Sequence, residues 1–199
     1  DEDRAARDLA AGWMEELGLK IQVDGIGNMI AVREGLEGKP PVMAGSHLDT
    51  VRSGGTLDGS YGVVAALEVI AALNEGGVET RLPVAAAVFT NEEGARYTPD
   101  MMGSMVYSGG DPLEDALSAY GMDGTILGDE LRRIGYAGEH PCGGIVPAAF
   151  LELHIEQGPY LESRNIPIGA VEKVTGISWR EITITGESNH AGTTPMEDR

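Results

Sequence analysis

The stretch Leu82 to Phe89 is almost unbroken apolar sequence, rich in Val and Ala, and it runs directly into Thr90-Asn91-Glu92-Glu93-Gly94-Ala95-Arg96. A strand that is apolar at nearly every position has to be covered on both faces, which happens in α/β sheets flanked by helices. The run therefore predicts the central strand of an α/β domain. Open sheets of that class build their sites in the crevice at the carboxyl edge, where the backbone turns. Glu92 and Glu93 can both point into such a crevice. Adjacent carboxylates repel unless a proton or a cation lies between them. Most Glu-Glu pairs are simply solvated loop residues, so the remaining sequence has to decide what this one does.

Upstream, Ala6, Leu9, Ala10, Trp13, Met14 and Leu17 fall at the spacing of one helical face, and Gly18 is placed to stop the helix. Ile21 to Val23 and Met29 to Val32 flank the turn-rich Asp24-Gly25-Ile26-Gly27-Asn28 and predict a β-hairpin. After Lys39-Pro40-Pro41, Val42 to Ser46 predicts a short strand delivering His47-Leu48-Asp49 at its end. Ser60 is placed to cap a helix whose Val63, Val64, Leu67, Ile70, Ala71 and Leu73 look buried and which Gly76-Gly77 ends. Past the Glu pair, helical patterns recur around Pro112 to Tyr120 and Ile126 to Ile134. Phe150 to Ile155 predicts a strand carrying His154, and Pro167 to Val174 another. Between Gly176 and Gly186, Ile177, Trp179, Ile182 and Ile184 alternate with Arg180, Glu181, Thr183 and Thr185, the pattern of a strand in a new, more exposed sheet. We expect an α/β fold with a mixed, mostly parallel sheet flanked by helices over residues 1–174, and the start of a smaller α+β domain over 175–199.

Charge narrows the function classes. With 14 basic and 32 acidic side chains the net charge is −18, which speaks against nucleic acid or an anionic membrane as partner. No stretch approaches eighteen uninterrupted apolar residues and no basic segment precedes an apolar one, so a cytoplasmic protein is expected. Cys142, the sole cysteine, has no internal disulfide partner. The chain opens on Asp1-Glu2-Asp3 without an initiator Met and stops at Arg199 just after a motif-like stretch, and we expect it to be part of a longer protein.

Four potential metal ligands, His47, Asp58, Glu93 and His154, stand at strand ends or just ahead of a helix. Two imidazoles with two carboxylates suit Zn, Mn or Co better than Ca or Mg. A carboxylate can bridge two such cations, which would also remove the repulsion among Asp58, Glu92 and Glu93. Asp49, two residues after His47 on an extended segment, returns to the same face and can accept the second imidazole N–H. Glu92, adjacent to a ligand without being needed as one, is the candidate general base. Taken singly, a strand-end His is usually structural and Asp58-Gly59 is usually only a turn. His140, in Glu139-His140-Pro141, matches none of these settings. The joint pattern of the other four is far less expected by chance.

The chain resembles the M20 metallopeptidase superfamily, and within it the amidase branch of N-carbamoyl-L-amino-acid hydrolases, β-ureidopropionases and allantoate amidohydrolases. The residues that carry the resemblance are Gly45-Ser46-His47-Leu48-Asp49-Thr50-Val51, Leu57-Asp58-Gly59, Thr90-Asn91-Glu92-Glu93-Gly94-Ala95-Arg96, His154-Ile155-Glu156-Gln157-Gly158-Pro159 and Asn189-His190-Ala191-Gly192-Thr193-Thr194-Pro195-Met196. It implies a dinuclear metallohydrolase catalytic domain followed by the beginning of a lid and dimerisation domain. It also implies two divalent ions, with His47, Asp58 and His154 on one, Asp58 bridging, and Glu93 on the second. Glu92 is then the base, Gln157 contacts a small ureido or amide substrate, and His190 helps stabilise the oxyanion across a homodimer. The family's last metal-binding His, and the Asn and Arg that hold the substrate carboxylate, are not among these 199 residues, so the chain alone is expected not to turn over. A dipeptidase or aminoacylase of the same superfamily is one alternative. The other is a metal-free binding module, against which the intact ligand set argues.

Overall fold

The Val/Ala-rich run forms the middle of a five-stranded sheet. In the computed structural model, which describes residues 1–178, 180 and 182–199, the elements in chain order are α1 (Glu2–Glu16), β1 (Lys20–Val23), β2 (Met29–Arg33), β3 (Val42–His47), α2 (Ser60–Glu75), β4 (Val84–Phe89), α3 (Met102–Tyr107), α4 (Leu113–Leu117), α5 (Leu127–Ile134) and β5 (Ala149–Leu151). Short 3-10 turns follow at Glu162–Arg164 and Met196–Asp198. Asp1–Gln157 and Gly158–Arg199 are separate units. Among the described residues no helix is long and apolar enough to cross a membrane.

The sheet order is β1-β2-β4-β3-β5. The hairpin β1–β2 and the β2–β4 pair are antiparallel, whereas β3 runs parallel to both β4 and β5. The sheet is thus mixed, with its parallel part confined to the three strands that carry candidate residues. β4 explains its own composition. Ala86 and Val88 join the apolar cluster that includes Met14, Ile26, Met29, Val63 and Ile70, while Ala85 and Ala87 turn to the opposite face with Ile30 and Met43. Ala85, Ala86 and Ala87 are completely buried, so both faces are covered and polar alternation is excluded. α2 packs on β3 and β4, and the approach is close at Gly62. A Cβ there would stand 2.6 Å from the Leu153 carbonyl oxygen and 2.7 Å from Ser46 Cβ, so any side chain would lift the helix off the strand.

Several local expectations need correction. Ser60 does not cap α2; it is the first helical residue, its hydroxyl donates to the Thr56 carbonyl, and Gly59 holds the N-cap position. Val64 on α2, and Leu9 and Trp13 on α1, are exposed rather than buried. On α1 the buried stripe is instead Arg7, Ala10 and Met14. The Arg7 guanidinium is worth burying because it donates to the Gly27 carbonyl at 2.6 Å and to Thr90 Oγ1 at 3.1 Å, and pairs with Asp3 at 2.7 Å. The strand expected over Phe150 to Ile155 is only Ala149–Leu151, because its partner register ends at Ala44. In the second unit the described residues of Pro167 to Val174 and Gly176 to Gly186 form no strand. A strand needs a ladder partner, and alternation alone supplies none. Trp179 and Glu181, on which that alternation partly rested, lie outside the described residues.

Candidate metal centre

The parallel pair β3–β4 delivers the first residues of the site together. His47 ends β3 directly opposite Phe89 at the end of β4, so the backbone of Thr90-Asn91-Glu92-Glu93 emerges beside the imidazole. β5, parallel on the other side of β3, leads to His154 at the same edge. Asp58 lies just ahead of α2, whose N-terminal end favours negative charge. A topology of parallel strands therefore brings residues about forty to a hundred positions apart to one carboxyl edge.

The two imidazoles are held alike. His47 Nδ1 lies 2.8 Å from the Asp49 backbone carbonyl and His154 Nδ1 lies 2.9 Å from the Ile155 carbonyl. A carbonyl can only accept, so each Nδ1 carries the hydrogen and each neutral ring presents an unprotonated Nε2. His47 Nε2 faces Glu92 Oε2 at 3.3 Å, and His154 Nε2 faces Asp58 Oδ1 at 3.2 Å. The rings lie 6.0 Å apart, centroid to centroid. Ligand atoms of His47, Asp58 and His154 all lie within 4.8 Å of one another, as do those of His47, Glu92 and Glu93. Asp58 Oδ1 and Glu93 Oε1 are buried without a hydrogen-bond partner among the described residues. Lone pairs thus face lone pairs in a partly buried space, and a divalent cation is the group that relieves all of them at once. The residues fit a metal.

Asp49 acts differently from expectation. It is the backbone carbonyl of Asp49 that meets His47 Nδ1; the nearer carboxylate oxygen is 3.8 Å away. Its carboxylate instead accepts the backbone N–H of Glu92 at 3.1 Å and of Glu93 at 3.0 Å. Two amides that have turned away from the sheet are better partners for a carboxylate than an imidazole already satisfied by a carbonyl. Gln157 Nε2 donates to Asp58 Oδ2 at 2.7 Å, leaving Oδ1 toward His154. His190 belongs to the Gly158–Arg199 unit, where its Nδ1 accepts the Gly192 N–H at 3.1 Å. His140 is exposed and its backbone pairs with Asp24 and its neighbours, away from these groups.

Burial raises the Glu92 carboxyl above its ordinary value of 4.5; the neighbouring His47 opposes the shift while Glu93, Asp49 and Glu152 add to it. Burial likewise raises Glu93, with Asp58 adding repulsion. Such a carboxyl takes up a proton readily, the property a general base needs near neutral pH.

Three contributors escaped the sequence reading. Gly59 has φ +65°, and a Cβ there would fall 2.3 to 2.4 Å from three atoms of the His47 ring, so the Asp-Gly pair is more than a turn: only glycine leaves room for the imidazole. Glu152 accepts the Ser46 hydroxyl beside the site; its position two residues before His154, on the same side of an extended segment, was the available signal. Asn91, at φ 52°, ties the turn down by donating to the carbonyls of Tyr97 at 2.8 Å and Pro99 at 3.1 Å.

Known proteins resemble this chain in sequence and fold. The model of peptidase family M20/M25/M40 matches residues 43–198. The chain is 43% identical over its whole length to an N-carbamoyl-L-amino-acid amidohydrolase of Rhizobium meliloti, covering 48% of that enzyme. It is 35% identical to allantoate deiminase 1 of Glycine max over 98% of the chain and 42% of that protein. A hydantoinase/carbamoylase family amidase from Burkholderia ambifaria has a solved structure that superposes with a TM-score of 0.80 at 45% identity, over 83% of this chain and 41% of that one. The chain thus spans about half the length of the curated relatives it matches. Since the family model matches residues 43–198, a span that includes both imidazoles and the Glu pair, and the solved relative has a similar fold over most of this chain, this chain belongs to peptidase family M20/M25/M40.

Proposed function

We propose that this chain forms the metal-binding part of an amidohydrolase that cleaves a non-peptide C–N bond in a linear ureido or amide compound, such as an N-carbamoyl-L-amino acid or allantoate. The observation that carries the reading is the cluster of His47, Asp58 and His154 with Glu92 against its edge. The names of the relatives, an N-carbamoyl-L-amino-acid amidohydrolase and an allantoate deiminase, support this substrate class.

On this reading His47, Asp58 and His154 hold one divalent ion, and Asp58 and Glu93 contribute to a second, with Zn, Mn or Co as the candidates. When bound, such ions polarise a carbonyl and make water at the site more acidic. Glu92 takes a proton from water as the water oxygen adds to the ureido carbonyl carbon, and returns it to the leaving nitrogen as the C–N bond breaks. The products are an amine and a carbamic acid. The carbonyls of Asp49 and Ile155 each take the Nδ1 position, which leaves Nε2 of each ring as the atom that faces the carboxylates. Gln157 orients Asp58 and is available to substrate, and His190 stabilises the oxyanion from a lid that also forms a homodimer. Residues 1–174 are then the catalytic part and 175–199 open the lid domain of a cytoplasmic enzyme.

The test uses a form of the protein that turns over. N-carbamoyl amino acids, allantoate, N-acetyl amino acids and dipeptides are assayed side by side, with Glu92→Gln beside the parent. Preference for the ureido compounds, and a loss of about 10²- to 10⁴-fold in kcat for Glu92→Gln, are expected. Faster turnover of dipeptides or N-acetyl amino acids overturns the substrate class, and an unchanged kcat overturns the base.

A further inference from the structure

The Glu92-Glu93 turn leaves β4 at a sheet edge, where backbone N–H groups have no ladder to donate to. Thr90 N–H is taken by Asn28 Oδ1 at 3.0 Å, and the carbonyls of Thr90, Asn91 and Glu92 accept from the amides of Gly103, Met102 and Met101 at 2.8, 3.3 and 2.7 Å. Further along the turn, the amides of Glu92 and Glu93 both end on the Asp49 carboxylate, one on each oxygen. The same residue's carbonyl fixes His47 Nδ1. Asp49 thus holds two parts of the site through two different groups.

We propose that Asp49 is a positioning residue whose carboxylate clamps the Glu92-Glu93 backbone, while its grip on His47 is exerted through the main chain and is independent of its side chain. The inference rests on the reading of Glu92 and Glu93 as site groups. Charge-assisted bonds to backbone N–H are strong, and two on one carboxylate fix both position and direction of the turn. The carboxylate also costs something, since it adds repulsion to Glu92 and Glu93. An amide at this position could accept one N–H, but its own NH2 would oppose the other.

The two roles separate experimentally. In the unmodified protein the Glu92 and Glu93 amides should exchange their hydrogens as slowly as those of the β4 ladder, although they lie in a loop. In Asp49→Asn their protection should fall about tenfold or more while β4 and α2 amides keep theirs. Zinc affinity at His47, Asp58 and His154 should stay within about threefold of the parent, whereas His47→Ala should abolish it. Free-loop exchange of the two amides in the unmodified protein refutes the clamp without any variant. A loss of zinc affinity in Asp49→Asn as deep as in His47→Ala shows instead that the carboxylate serves the imidazole. Failure of the unmodified protein to bind zinc at all falls on the metal reading and leaves the amide measurement to judge the clamp.

Discussion

Gly59→Ala should damage the metal centre without touching a ligand. Two costs add at this position. The backbone sits at φ +65°, ψ −51°, beyond even the left-handed helical region, which by itself costs an L-residue about 1–2 kcal/mol. The new Cβ also meets His47 Cε1 at 2.3 Å and Nδ1 and Nε2 at 2.4 Å, and His47 is 1% exposed with nowhere to retreat. Overpacking of that kind costs about 1–3 kcal/mol, so the total is about 2–5 kcal/mol. The ring can yield only by giving up its bond to the Asp49 carbonyl, which redirects Nε2 and should weaken zinc binding at least about tenfold. Gly77→Ala is the control, because Gly77 also has a positive φ, +59°, but has nothing within 4 Å of its would-be Cβ. It should show only the backbone cost and keep full zinc affinity. Thermal melting of the metal-free chain, at about 2–4 °C per kcal/mol, and a zinc titration of both variants separate the two contributions. Equal melting shifts for Gly59→Ala and Gly77→Ala, with zinc affinity unaltered in both, would refute the reasoning.

The chain should bind about one equivalent of zinc, because His47, Asp58 and His154 make a three-ligand site while Asp58 and Glu93 alone do not. Binding should weaken as pH falls, because protons compete with the metal for both imidazoles, and isothermal titration that found two tight equivalents, or no effect of His154→Ala, would contradict this. Stability of the metal-free chain should change in the opposite sense at higher pH. The folded-state values of Glu92 and Glu93 are raised above 4.5, so their contribution is fully present below 4.5 and is lost as pH rises through the raised values, when the folded state must bury two charges. Melting curves from about pH 4 to about pH 7 should therefore slope less in Glu92→Gln than in the parent; parallel slopes would rule the effect out. Arg7→Met should cost about 2–4 kcal/mol, because the Gly27 carbonyl and Thr90 Oγ1 each lose a buried donor, and a denaturant midpoint equal to that of the parent would show that the guanidinium is dispensable.

The sequence by itself determined the sheet's centre and which side chains gather at its edge. An apolar run with no alternation can only be covered on both faces, and the observed β4, buried to either side, is the direct consequence. Hairpin, α1, α2 and β3 were legible for the same reason: their periods of two and 3.6 residues are local properties. The grouping of His47, Asp58, Glu92, Glu93 and His154 was legible because each stands at an element's end, and parallel strands put such ends on one edge. What the tertiary structure decided is everything that depends on which atom faces which. Sequence spacing gave Asp49 to His47, yet the carbonyl took the imidazole and the carboxylate went to two amides 43 and 44 positions away. Arg7, on which the helical spacing is silent, is a buried donor to a residue 83 positions away. Gly59 looked like a turn and is the space His47 occupies. Hydrogen bonds and close contacts of this kind are set by three-dimensional proximity between distant segments, and no periodicity along the chain encodes them.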